Sequence, residues 1–391
     1  MSLSIIQTPS TASLSQSPMI FSVSSSTDVG NNNFQYKLGL YYWTGSLTDS
    51  GSLPNYVLSK YPNQSLVGLF DVSRIINSTF ITPVQAELSP TRYYKAEVWT
   101  QYYTSSTYFT SSHIQSGVYT ALDGYDLFPS QIGATLDSST LFPILSDGPT
   151  TQSVFLEHNG EFGAYVGDIN QSNIVTKFVY SGSNGDDGEY NVTPTLDTTN
   201  TQIEGIPFSP ASAGFPLVGL SAGDTYTIKP YSNTTKLNDG IRYEIQCRTK
   251  YPNRRIKWKN RFGQFDYYNF NGVSRESFET QKRTYQPQIG QWDSRTLSVG
   301  SYESSIQNYI VDSSQTFTVN TNWLSDDYND IFKQLLVSDE IYWLYDEQTG
   351  GSSVKPLTIK TSNIDFKTSV NDKLIQYTIQ FDLGQNYKFI I

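Results

Sequence analysis

Apolar and polar residues take turns along most of this 391-residue chain. Phe34, Tyr36, Leu38 and Leu40 alternate with Gln35, Lys37 and Gly39. Ile241, Tyr243, Ile245 and Cys247 alternate with Arg242, Glu244 and Gln246, and Ile375, Tyr377, Ile379 and Phe381 with Gln376, Thr378 and Gln380. A period of two gives a strand one buried and one wet face, the arrangement of antiparallel sandwiches. Turn dipeptides punctuate the pattern at Asp147-Gly148, Asn159-Gly160, Asn184-Gly185, Asn271-Gly272 and Gly350-Gly351. The chain therefore reads as mainly β, with two or three antiparallel β-sandwich domains of Ig-like or jelly-roll-like type.

Composition agrees. The 29 tyrosines outnumber the 26 lysines and arginines together, and aromatic side chains suit pleated faces better than helices. A net charge of −10 argues against general nucleic-acid binding, which draws its affinity from basic residues on phosphates. Cys247 is the only cysteine, so no disulfide forms within the chain. No apolar run approaches the length that spans a bilayer. The start, MSLSIIQTPSTASL, lacks the basic and apolar regions of a secretory signal. Synthesis in a reducing cytoplasm is expected, with release by a route such as lysis.

One segment departs from period two. In SDDYNDIFKQLLV, residues Tyr328, Ile331, Phe332, Leu335 and Leu336 form a helical stripe, with Ser325 placed to cap it and Asp326 and Asp327 at its positive end. This predicts an amphipathic helix over about 326–337, packed on a sheet. A shorter helical turn is expected at Asp71–Ile76. Residues 181–200 read as a polar loop or weak edge hairpin, and 205–216 as a connector. Expected domains are 1–98, an N-terminal sandwich; 99–235, a middle β-domain that projects as an insertion or completes a core; and 236–391, a C-terminal β-domain with the WKNRFGQFDYY hairpin and the helix.

Motifs with chemical meaning are few. GLSAG at 219–223 fits a nucleophile elbow, but a strand-like DTYTIKP follows where a helix is required, and both histidines precede Ser221. A Gly-rich turn is the simpler reading. Cys247, His113 and His158 lie far apart, which leaves no zinc-site spacing. Asp186, Asp187 and Glu189 could offer oxygens to calcium, but lack the spacing of a calcium-binding loop. No feature selects a carboxylate pair for glycoside hydrolysis. Cys247 falls on the apolar phase of its strand and reads as a small buried hydrophobe. Neither a catalytic residue, a metal nor a cofactor is expected.

Positive charge is concentrated. Residues 242–283 hold 11 basic and 4 acidic residues, whereas 1–241 hold 8 and 19. Within this island RRIKWKNRFGQFDYYNF spans 254–270. Ile256 and Trp258 alternate with Lys257 and Lys259, a turn follows over 260–264 with Gly263 suited to positive φ, and 265–270 return. The spacing predicts a structural hairpin built of Trp258, Asn260, Phe262, Gly263, Phe265, Asp266 and Tyr267, with the aromatics as its core. Arg254, Arg255, Lys257, Lys259 and Arg261 would form its exposed edge and tip. Three roles stay open for them: structure alone, contact with an acidic neighbouring subunit, or contact with nucleic acid or another ligand.

WKNRFGQFDYYNF resembles the W-x-N-R-[YF]-G-G-[FW]-D-[YF] signature of structural proteins from tailed phages of Bacteroidota, crAss-like phages included. SPMIFSVSS and GLFDVSRIINSTF are similar to the opening of those proteins. NWLSDDYNDIFKQLLVSDEIYWL and KPLTIKTSNIDFKTSVNDKLIQYTIQFDLG are similar to their closing helix and strands. The resemblance covers both ends and the middle but not 105–235, and Gln264 stands where the signature has a second glycine. It implies a non-enzymatic virion component of the tail, neck or baseplate. The implied partners are copies of itself and other virion proteins, with nucleic acid and membrane insertion not expected. The alternatives are a receptor- or carbohydrate-binding module that meets host-surface glycan, and a particle-associated glycan hydrolase.

Overall fold

The computed structural model describes residues 3–384 except 28, 46–50, 81–90, 105–106, 128–142, 167–173, 182–186, 193–202, 212–218, 248–249, 294, 346–352 and 367–374. The protein is mainly β, with several largely antiparallel sheets, as the alternation predicts.

The first unit comprises β1 (Leu3–Gln7), β2 (Ala12–Leu14), β3 (Ile20–Ser25), β4 (Asn32–Trp43), β5 (Tyr56–Lys60), β6 (Val67–Asp71), helix α1 (Ser73–Asn77), β7 (Thr91–Thr104), β8 (Thr107–Thr110), β9 (Ile114–Gln115) and β10 (Tyr119–Leu122). Strands β1-β3-β6 make a small sheet, and β2-β10-β7-β4-β5 a larger one. Phe34, Tyr36, Leu38 and Leu40 point inward from β4 and meet Phe21, Val23 and Phe70 from the opposing sheet. Helix α1 fulfils the expected turn: Asp71 Oδ1 accepts from the Ser73 amide at 3.0 Å. Strand β7 runs through the boundary expected at residue 98, so the first unit extends at least to β10.

The second unit comprises β11 (Thr151–Val154), β12 (Glu161–Tyr165), β13 (Ile174–Ser181), β14 (Asp187–Val192), β15 (Ile203–Pro207), β16 (Thr225–Ser232), β17 (Thr235–Lys236) and β18 (Ile241–Ile245). Sheet β11-β18-β16-β13-β14 faces the pair β12-β15 across a core that includes Phe178, Ile206, Ile228 and Tyr243. Strand β18 belongs here, beyond the boundary expected at 235, and pairs parallel with β11. The 181–200 stretch contains the hairpin strand β14, with Asn184-Gly185 outside the described residues. The expected connector 205–216 instead begins inside β15, because its backbone completes the β12 ladder. Cys247 is a second correction: β18 ends at Ile245, and the cysteine is exposed.

The third unit comprises β19 (Arg254–Lys259), β20 (Phe265–Phe270), β21 (Arg275–Tyr285), β22 (Gln307–Asn320), helix α2 (Asn329–Val337), β23 (Ile341–Leu344), β24 (Val354–Ile359) and β25 (Thr378–Leu383). They form one seven-stranded sheet in the order β20-β19-β23-β24-β25-β22-β21. A 3₁₀ turn at Asp326–Tyr328 leads into α2, so the helix stands where its stripe predicts. Ile331, Phe332 and Leu335 pack on Trp258, Tyr268, Phe270 and Ile379 of the sheet. No helix among the described residues is long and apolar enough to cross a membrane.

Candidate functional site

The hairpin β19–β20 forms in the expected register, with Lys257 opposite Tyr267 and Lys259 opposite Phe265. Its turn is built by Asn260, whose Oδ1 accepts from the amides of Phe262 at 3.0 Å and Gln264 at 3.1 Å. Such Asx geometry closes a turn without help from the strands. Gly263 sits at φ 76°, and a Cβ there would lie 2.1 Å from the Asp123 carbonyl oxygen. The glycine is required by both its conformation and its neighbour.

The basic side chains are not an exposed edge. Strand β19 is interior to its sheet, between β20 and β23. Arg255, Lys257 and Lys259 are 2%, 1% and 7% exposed, while Arg254 and Arg261 are half-buried. This corrects the expectation of free assembly contacts at these five positions. A buried charge requires a partner, and the sequence hides the carboxylate partners of Lys259 and Arg261 because they lie 81 to 136 residues away.

Lys259 Nζ meets Asp123 Oδ2 at 2.5 Å and Glu340 Oε1 at 3.1 Å. Burial works to lower its pKa, yet these carboxylates hold the ammonium above its ordinary value. Arg261 grips Asp147 with both Nε and Nη2. Gln334 of α2 closes that contact: its amide donates to Asp147 at 2.7 Å and its carbonyl accepts from the Arg261 backbone at 2.9 Å. Arg255 lies over the Tyr267 ring at 4.7 Å, and Lys257 over Phe265 at 4.7 Å. Arg254 pairs with Glu276 at 2.6 Å and covers Trp343.

These contacts join all three units. One face of the hairpin, with Ile256, Trp258, Tyr268 and Phe270, completes the core under α2. From the other face Tyr267 enters the second unit's core and packs edge-on to Phe208 at 5.4 Å. At the tip, Phe262 joins Leu14 and Leu122 of the first unit and Leu145, Tyr165 and Ile203 of the second. Asn260 Nδ2 donates to the Leu145 carbonyl at 2.8 Å, and the Tyr125 amide to the Arg261 carbonyl at 2.8 Å. A Cβ on Gly124 would stand 2.2 Å from that Arg261 oxygen. The hairpin is a wedge locked by hydrogen bonds between three β units.

Two buried titratable groups flank the wedge. Burial raises Asp266 from 3.8 to about 7, against hydrogen bonds from Ser146 and Asn260 that lower it. Its Oδ2 makes no hydrogen bond among the described residues. Burial, then the Arg255 charge, lowers His158 from 6.5 to about 2. The His158 ring accepts the Phe155 amide at Nδ1, and its Nε2 faces the Asn253 side chain at 3.0 Å.

The remaining candidates find structural roles. Ser221 lies in a turn in which its amide donates to Asp224 Oδ2 at 2.7 Å, and strand β16 follows where an elbow needs a helix. Glu189 pairs with Lys177, Asp186 lies outside the described residues, and no group of metal-binding side chains occurs among those described. His113 stacks on Trp99 and contacts Glu97.

No protein-family model matches the chain, and no curated protein does. Among solved structures it is similar to a marsupial T cell receptor at 9% identity, over 82% of this chain and 96% of that one. The TM-score of 0.18 is too low for that likeness to carry an argument.

Proposed function

We propose that this protein is a non-enzymatic structural subunit of a tailed-phage particle, placed in the tail, neck or baseplate. The observation that carries the reading is the wedge. The stretch that resembles the phage signature directs its charged and aromatic side chains into contacts between three β units. Residues given to rigid internal packing serve a fixed shape better than they serve a reaction. The resemblance of both chain ends to the same phage proteins adds support, as does the scarcity of reactive side chains. Partners would then be copies of itself and other virion proteins.

The test uses purified particles of the phage that encodes the chain. Immunogold labelling against this protein should decorate the tail, neck or baseplate of intact virions. Its absence from particles, with expression confirmed in infected cells, overturns the reading. A second reading as a glycan-binding module draws on the exposed rings of Trp292 and Tyr302, which are 65% and 88% exposed, since flat sugar faces stack on such rings. A glycan array without binding removes it.

A further inference from the structure

The wedge is closed to outside partners, but the opposite end of the same sheet is open. Strand β21 is terminal, pairs only with β22 among the described strands, and has every residue exposed. Strand β25 supports β22 only over Thr316–Asn320. The ribbon formed by 278–285 and 307–315 therefore extends beyond the sheet by about 25 Å, at roughly 3.3 Å per residue. A two-stranded ribbon without a third strand or a covering face is marginal in water, and a free strand edge is a template for pairing.

We propose that β21 pairs antiparallel with β21 of a second copy across a two-fold axis, which makes one continuous sheet. This rests on the structural-subunit reading above and names its first partner. The charge order along β21 selects the geometry. After Arg275 at its start, Glu276 (paired with Arg254) and Glu279 occupy its first half, and Lys282 and Arg283 its second. Parallel in-register pairing would set like charges side by side, whereas antiparallel pairing sets unlike charges together. A two-fold normal to the sheet requires opposed residues to share a face. With Gln281 on the axis, Glu279 faces Arg283 twice and Ser277 faces Tyr285 twice. With Glu279 or Lys282 on the axis, a charge would meet its own copy. Glu279 and Arg283 are exposed and make no ion pair among the described residues.

The register also accounts for the ribbon's tip. The loop after Tyr285 is held by its own hydrogen bonds, with Glu303 accepting from the Gly290 and Gly300 amides. It nonetheless exposes Trp292, Leu297 and Tyr302. In the paired state each loop passes the partner's Ser277 and approaches the exposed Val273 of the partner's body. Isologous pairing closes on itself, so it yields a dimer and not a fibre.

The experiment is sedimentation equilibrium of the full chain and of variants at exposed positions. A dimer is expected. Glu279→Arg and Arg283→Glu should each weaken it by about tenfold or more, and the double exchange should restore it, because each change alone puts like charges opposite one another twice. In a Cys247→Ser background, Gln281→Cys should cross-link to a dimer on oxidation, whereas Glu279→Cys, displaced from its own copy along the strands, should not. A monomer at all concentrations, a dimer indifferent to both charge reversals, or a dimer in which Gln281→Cys does not cross-link overturns the pairing. None of these outcomes bears on whether the chain is in the particle, which immunogold labelling decides separately.

Discussion

Asp266 and His158 give the wedge opposed responses to pH, and substituting either should reveal the other. Asp266 titrates at 3.8 when unfolded and about 7 when folded. Between those values the folded state holds a proton that the unfolded state lacks. Its contribution to stability is complete below pH 3.8 and is lost as pH rises through 7. His158 titrates at 6.5 when unfolded and about 2 when folded. Between those values the unfolded state holds the extra proton, so this contribution is complete above pH 6.5 and is lost as pH falls. Each slope is about 1.4 kcal/mol per pH unit, with opposite signs. Between about pH 4 and pH 6.5 the two cancel.

Asp266→Asn should leave only the histidine. Stability should then fall by up to about 2 kcal/mol from pH 6.5 to pH 5. His158→Gln should leave only the carboxyl, and stability should fall by up to about 3 kcal/mol from pH 5 to pH 7. The double variant should regain the flat profile, and it also removes the background common to all four proteins. The assay is urea unfolding followed by tryptophan fluorescence at pH 5, 6 and 7, with free energies extrapolated to water. If both single variants track the parent across this range, the two side chains are not buried in the protonation states argued here.

Three further outcomes test the junction. Lys259→Met leaves Asp123 buried without its cation and should cost about 3–5 kcal/mol, whereas Lys259→Met with Asp123→Leu should recover most of that by thermal unfolding. Gly263→Ala places a methyl 2.1 Å from the Asp123 carbonyl oxygen at φ 76°; it should lower the melting temperature far more than an alanine at exposed Gly30. Phe262→Ala empties the shared cluster at the tip and should cost about 3–5 kcal/mol, with protease cleavage appearing first in the segments between units.

The sequence was legible where structure depends on neighbours in the chain. Period two found β4, β18 and β25, the apolar stripe found α2, and the spacing of Asn260 and Gly263 found the turn of the hairpin. These are local relations, set by which face of a strand or helix a residue occupies. What was not legible depends on distance. Lys259 reads as an exposed lysine because Asp123 is 136 residues away, and Arg261 because Asp147 is 114 away. The parallel pairing of β11 with β18 joins segments about 90 residues apart and leaves no turn signal between them.

One clue to the burial was present in composition. An acidic chain that gathers 11 of its 26 basic residues into 42 positions has made a positive segment in a negative molecule. The nearest supply of compensating charge is the chain itself. Asp123, Asp147 and Glu340 therefore compete for those cations at the effective concentration of a folded domain, with which a partner in solution cannot compete. The same reasoning separates β21 from the wedge. Glu276 at its start is held by Arg254, but Glu279, Lys282 and Arg283 change sign along an exposed strand, and a reversed copy of that strand matches them in order.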